Sequence, residues 1–130
     1  MFVFHKLQVW HLAKGLVKSI YTITKGFPAE EKFGLASQIN RAAISVASNI
    51  AEGSGRISRK DQAHFTQLSY GSLMEVACQL EIARDLALVT EDDWQSVCRS
   101  IKTVAEKLSA LRSSQLSSLN THQGSDRGSK

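Results

Sequence analysis

Apolar positions recur through this chain at helical spacing, with polar positions between them. Over residues 35–50, Leu35, Ile39, Ala42, Val46 and Ile50 share one side of a 3.6-residue repeat. Beside them runs a row of small residues, Ala36, Ala43, Ala47 and Ala51. Small side chains let a neighbouring helix come close. A third row is polar: Arg41, Ser45, Ser48 and Glu52. A helix apolar over more than half its circumference cannot stand alone at a surface, so this stretch predicts the central helix of a bundle.

Three further helices follow from the same pattern. The first covers residues 7–25, after a short lead-in, and its apolar positions span an arc of about 220°. One bundle needs roughly half that, so a second covered surface is expected, most simply a contact between subunits. Its narrow polar face aligns His11, Lys14, Lys18 and Lys25. Gly26-Phe27-Pro28 ends it, and Pro28 with Glu30 and Glu31 predicts that the central helix starts there and covers 29–52. Gly53-Ser54-Gly55 stops that helix.

Ser58, three residues before Asp61, caps a third helix over 59–88. Its main stripe reads Phe65, Leu68, Ser72, Val76, Leu80, Ala83 and Ala87; a second, nearly opposite, reads Ala63, Tyr70, Ala77 and Leu88. Two buried faces are again implied. Gly71 in mid-helix predicts another backbone passing close by. Thr90 caps a fourth helix over 91–116, with Glu91, Asp92 and Asp93 in its first turn. One stripe, from Trp94 through Val97, Cys98, Ile101, Val104, Ala105 and Leu108 to Leu111, faces inward. The Gly/Ser-rich polar stretch 117–130 is expected to be disordered. The fold class expected is all-α, an antiparallel up-down-up-down four-helix bundle over residues 1–116.

Charge adds a local asymmetry. The net charge is +4, but residues 1–60 carry +6, residues 61–95 carry −6 and residues 96–130 carry +4. Arg56, Arg59 and Lys60 form a second basic cluster. Basic surfaces of this kind suit an anionic partner. Cys78 and Cys98 show no CxxC spacing and are expected as free thiols of a cytoplasmic protein. No apolar run approaches the ~20 residues of a membrane-spanning helix, and no secretory leader is expected.

The motifs of catalysis do not appear. No Glu has a His three residues on, as a di-iron bundle requires. His5, His11, His64 and His122 lack zinc spacing, and the P-loop pattern is missing. No enzyme, metal or cofactor is expected. Glu75 falls among Leu68, Gly71, Cys78 and Ile82, which makes it a candidate buried carboxylate with Arg41 as candidate partner. Arg41 and Glu52 share a face but stand ~16 Å apart along the axis. Asn49 and Glu52 are expected to bond backbone groups near Gly53. Arg41, Asn49, Glu52 and Glu75 are thus read as a structural polar network.

The stretches FPAEEKFGLASQINRAAISVASNIAEGSGR and LSYGSLMEVACQLEIARDL carry a further signal. They resemble the small four-helix-bundle proteins encoded in intervening sequences of bacterial large-subunit (23S) ribosomal RNA genes. The likeness runs from about residue 6 to 116. Its most specific pieces are Phe27-Pro28, Gln38, Arg41-Ala42-Ala43, Asn49 to Gly53, Arg56, and Gly71-Ser72 with Glu75. The resemblance implies a ring-shaped homo-oligomer, often a homopentamer, with no catalytic residues. It also implies similarity to the accessory proteins of diversity-generating retroelements, basic pentamers that bind nucleic acid and a reverse transcriptase. Asn40 stands where the family often has a first arginine.

Two functions are therefore expected of the chain. The first is sequence-tolerant binding of RNA or DNA through His11, Lys14, Lys18, Lys25, Arg56, Arg59 and Lys60, since lysine and arginine neutralise phosphates without reading bases. The alternative is a protein-interaction scaffold, for example an accessory subunit of a reverse transcriptase.

Overall fold

The structure, a computed structural model, describes the backbone of residues 1–128 and side chains up to residue 117. It contains four α-helices: α1 (Gln8–Thr24), α2 (Leu35–Ser54), α3 (Arg59–Asp85) and α4 (Glu91–Gly128). A 3₁₀ turn at Val3–Lys6 precedes α1, and another at Ala29–Glu31 precedes α2. There is no strand among the described residues. α1 packs on α2 and α4, and α3 packs on the same two helices.

The core is built from the inward stripes. Leu16 and Ile20 of α1, Ile39 and Val46 of α2, Leu73, Val76 and Leu80 of α3, and Val104 and Leu108 of α4 are almost wholly removed from water. Each such aliphatic side chain stabilises the fold by about 1.5–3 kcal/mol relative to exposure. Hydroxyl groups tie α2 to α3 inside this layer. Ser69 Oγ donates to the Val46 carbonyl at 2.7 Å, and Ser45 Oγ lies 2.8 Å from Ser72 Oγ. With Gln79 on Gln38, these bonds link rising numbers on α3 to falling numbers on α2. Thr66 Oγ1 meets Gln115 Oε1 at 2.9 Å, a buried polar contact between α3 and α4.

The helix ends follow local chemistry. Ser58 Oγ accepts from Asp61 N at 3.0 Å, and Thr90 Oγ1 accepts from Asp93 N at 3.1 Å. α2 begins at Leu35 rather than at Ala29, because the 3₁₀ turn ends and Gly34 leaves the helical region at φ −106, ψ −111. Glu31 then acts at that later start, its Oε2 accepting from Leu35 N at 3.3 Å. α3 stops at Asp85, short of residue 88, because Ala87 turns left-handed at φ 62. Leu88 N donates to Ala83 O and Ala87 N to Arg84 O, which closes the end.

Two expectations about packing are corrected. The buried face of α3 centres on Ser69, Leu73, Val76 and Leu80, and the stripe Ala63, Tyr70, Ala77 borders that same face. Leu68 lies outside it, 42% exposed, and Ala87 is exposed. The second correction concerns glycine. A methyl group at Gly71 would have nothing within 4 Å, so no backbone passes there; the close approach is at Gly53, which is buried inside α2. The fourth helix continues past residue 116. For most of the stretch 117–130, where disorder was expected, the side chains lie outside the described residues.

Candidate nucleic-acid interface

α1 buries Val9, Ala13, Leu16 and Ile20, so helical geometry turns the opposite arc to solvent. His11, Lys14, Lys18 and Lys25 are all exposed there. Lys25 ends the helix as its C-cap, about 16 Å along the axis from Lys14. The residues of the stripe differ in what holds them. His11 Nε2 lies 2.9 Å from the His5 carbonyl, and Lys14 Nζ sits 4.9 Å from the centre of the Trp10 ring.

The second cluster occupies the α2–α3 turn. Arg56 bonds Glu52 Oε1 at 3.1 Å and lies 4.5 Å over the Phe65 ring. Arg59 Nη1 donates to Gln62 Oε1 at 3.0 Å, and Gln62 Nε2 donates back to the Arg56 carbonyl at 2.9 Å. Lys60 is exposed. Arg59 lines a groove with Val3 and Leu7, so this turn sits at the end of the bundle where α1 begins. The basic residues therefore form two neighbourhoods: the α2–α3 turn at the start of α1, and a stripe running away from it to Lys25.

The structure adds residues the pattern did not single out. Arg99 of α4 lines a groove of about 420 Å³ with His11, Gly15 and Ser19 of α1. The lead-in to α1 is an aromatic cluster of Phe2, Phe4 and His5, joined by Trp10 and His11. Five rings within eleven residues were the available signal, but they divide among a short lead-in, the apolar arc of α1 and its polar face, so spacing alone does not group them.

The four polar residues do not form one network. Arg41 and Glu75 are both exposed and line one groove of about 380 Å³ with Gln38, Ala42 and Ser45, but no ion pair within 4.0 Å joins them among the described residues. The outer arc of α3 is uncovered in the single chain, which is why Glu75 is wet. Asn49 Nδ2 donates upstream to Ser45 O and Oγ rather than near Gly53. Glu52 pairs with Arg56. Gln79 Nε2 reaches Gln38 and Glu75 at 3.4 Å each, while its Oε1 is buried without a partner. Asn40 accepts from the buried Thr24 hydroxyl at 2.9 Å and so ties α1 to α2.

Both cysteines are free. Burial raises the pKa of the Cys98 thiol, against a smaller lowering by Arg84. Among the described residues no group of three His, Cys, Asp or Glu side chains is placed to hold a metal ion, and no helix is long and apolar enough to cross a membrane.

Comparison with known proteins bears on the fold and the family. The chain is similar in structure to a protein with unknown function from the S23 ribosomal protein family of Bacteroides thetaiotaomicron VPI-5482, whose crystal structure was solved at 1.70 Å resolution. The TM-score is 0.75 at 21% identity, covering 80% of this chain and 97% of that one, a likeness of fold. No curated protein matches. The family model of the 23S rRNA-intervening sequence protein matches residues 5–110, most of the bundle described above. The chain belongs to the 23S rRNA-intervening sequence protein family.

Proposed function

We propose that this chain is a non-enzymatic, cytoplasmic nucleic-acid-binding protein, working as a ring-shaped homo-oligomer of antiparallel up-down-up-down bundles. The observation that carries the binding is the distribution of charge. Residues 1–29 contain Lys6, Lys14, Lys18 and Lys25 and no acid, and these lysines are exposed. Phosphates are neutralised by such cations without base specificity. The opposed numbering of the α2–α3 bonds supports the antiparallel arrangement.

The ring rests on a strip of α3 that the single chain leaves open. Leu68, Ile82 and Leu86 are 42%, 46% and 59% exposed on one side of α3, with Glu75 and Cys78 between Leu68 and Ile82. Large apolar side chains left in water along one side of a helix suit a contact with another copy. Five copies are the number the family resemblance implies.

A gel-shift titration with a structured RNA tests the binding. Four phosphate contacts would lower affinity roughly a hundredfold between about 50 and 200 mM salt. No binding at low salt, or binding indifferent to salt, overturns the reading. Glu75, Glu81 and Asp85 beside the open strip favour a second reading, a scaffold or accessory subunit for a protein such as a reverse transcriptase. Recovery of that enzyme with the chain from nuclease-treated lysate would support it.

A further inference from the structure

We propose that the amino-terminal end of the bundle is a stacking platform for unpaired bases of single-stranded RNA, an inference that rests on the nucleic-acid reading above and gives that site its ligand. The platform is a run of rings. Phe2 and Phe4 lie nearly parallel, 9° apart, with centroids at 5.5 Å. Phe4 meets Trp10 at 4.7 Å, and Trp10 meets His11 at 5.0 Å. A hydrogen bond from Phe2 N to His5 Nδ1 at 3.1 Å holds the turn that carries them. Phe2 is nevertheless 61% exposed, and both histidines are exposed. Trp10 also packs against the bundle core, but burial there does not account for Phe2 and the two histidines left in water.

Behind the rings lies an open groove of about 280 Å³ between α1 and α2. Phe4 and Trp10 line it with Ile44, Ala47 and Ala51 of α2, and Ser48 and Lys14 add polar groups. The volume is close to the lower end of small-ligand sites, about 300 Å³. It offers an aromatic wall, a hydroxyl that can bond a base edge, and an ammonium for a phosphate.

The surroundings decide between an RNA and a second copy of the chain. The exposed cations are Lys6 and Lys14 beside the rings, Arg59 on the groove with Val3 and Leu7, and Arg99 on the groove with His11. Of the acids near the α2–α3 turn, Glu52 is paired with Arg56, and Asp61 lies in the first turn of α3. An apolar side chain of a protein has no use for a surrounding set of cations. A nucleotide brings a flat π-face and a phosphate together, which is the combination that single-strand binding surfaces take up. Duplex RNA keeps its bases stacked inside and cannot use the rings.

The test uses the full chain carrying Trp94→Phe, so that Trp10 is its only tryptophan. A labelled oligouridine of about ten nucleotides and an RNA duplex of equal length are titrated by anisotropy. The single strand should bind about tenfold more tightly and quench Trp10 emission. Phe2→Ala and Trp10→Leu should each weaken single-strand binding about fivefold or more, leaving duplex binding and the salt slope unchanged. Lys14→Gln should instead reduce the slope by about one. Phe2 is exposed, so its variant should keep the helical circular dichroism of the parent and keep the test valid where Trp10→Leu unfolds. Equal binding of strand and duplex, or indifference to both aromatic substitutions, overturns the platform and leaves general nucleic-acid binding standing. No binding of either RNA at low salt overturns both. Aromatic substitutions that lower the particle mass without touching RNA affinity assign the groove to a second copy and overturn the platform.

Discussion

A methyl group built on Gly53 would lie 2.7 Å from the Cβ of Phe65, so α2 and α3 touch through a position that has room only for hydrogen. This contact sets how closely the two helices approach at the α2–α3 turn, where Arg56 lies over the same Phe65 ring. Gly53→Ala adds helix propensity, about 1 kcal/mol, but forces the helices apart, and overpacking costs about 1–3 kcal/mol. The net expectation is a loss of stability in urea denaturation. Gly15→Ala is the internal comparison: the added methyl would have nothing within 4 Å, so it should stabilise by about 1 kcal/mol.

The end of α3 carries strain that glycine would relieve. Ala87 holds φ 62 while its neighbours close the helix. A left-handed conformation costs an L-residue about 1–2 kcal/mol that glycine does not bear, partly offset by glycine's greater freedom when unfolded. Ala87→Gly should therefore raise stability by about 0.5–1 kcal/mol, read as a higher urea midpoint at unchanged slope.

Thr66 and Gln115 are both buried and meet across α3 and α4, where the Thr66 hydroxyl also lies 3.1 Å from the Gln62 carbonyl. Thr66→Val keeps the shape and leaves the Gln115 amide without that partner. Loss of about 1–3 kcal/mol is expected. The double variant Thr66→Val with Gln115→Leu should recover part of it, and a double-mutant cycle measures how much.

The open strip of α3 predicts the behaviour of the assembly. Leu68→Asp and Ile82→Asp should reduce the particle measured by light scattering toward the 14.3 kDa of one chain, with helicity retained. A variant that keeps the parent's mass would show that the strip is not the interface.

Thiol chemistry provides an independent reading of the same surface. Cys78 lies on the strip and is exposed in the single chain. Cys98 is half-buried, and its raised pKa leaves less thiolate at a given pH, so it should alkylate slowly throughout. Cys78 should react fast in Leu68→Asp and slowly in the parent assembly, as peptide mass spectrometry after brief iodoacetamide treatment would show.

Much of the bundle was legible because helices announce themselves locally. The caps at Ser58 and Thr90, the inward stripe of α4 and the core positions of α2 all follow from spacing and short-range hydrogen-bond chemistry. The face of α3 was not legible in the same way. Its buried arc includes Ser69 and Thr66, hydroxyls that a hydropathy pattern counts as polar, while Leu68 and Ile82 look like core and face outward. Burial of Ser69 is possible because its hydroxyl finds the Val46 carbonyl on another helix. The basic stripe of α1 was visible as an alignment, but the rings beside it acquire meaning only where the 3₁₀ turn folds Phe2 and Phe4 back towards Trp10.

The sequence alone determined that this is an all-helical chain, roughly where its helices lie, and which side of α1 is basic. Those properties depend on neighbours three or four residues away, and the chain carries them wherever it goes. The tertiary structure decided which glycine is a contact and which is open, which polar groups meet across helices, and which apolar residues remain uncovered. Those depend on the rotation of one helix about its axis against another. Rotation is set by the summed fit of the core side chains, a quantity no single stretch of sequence contains.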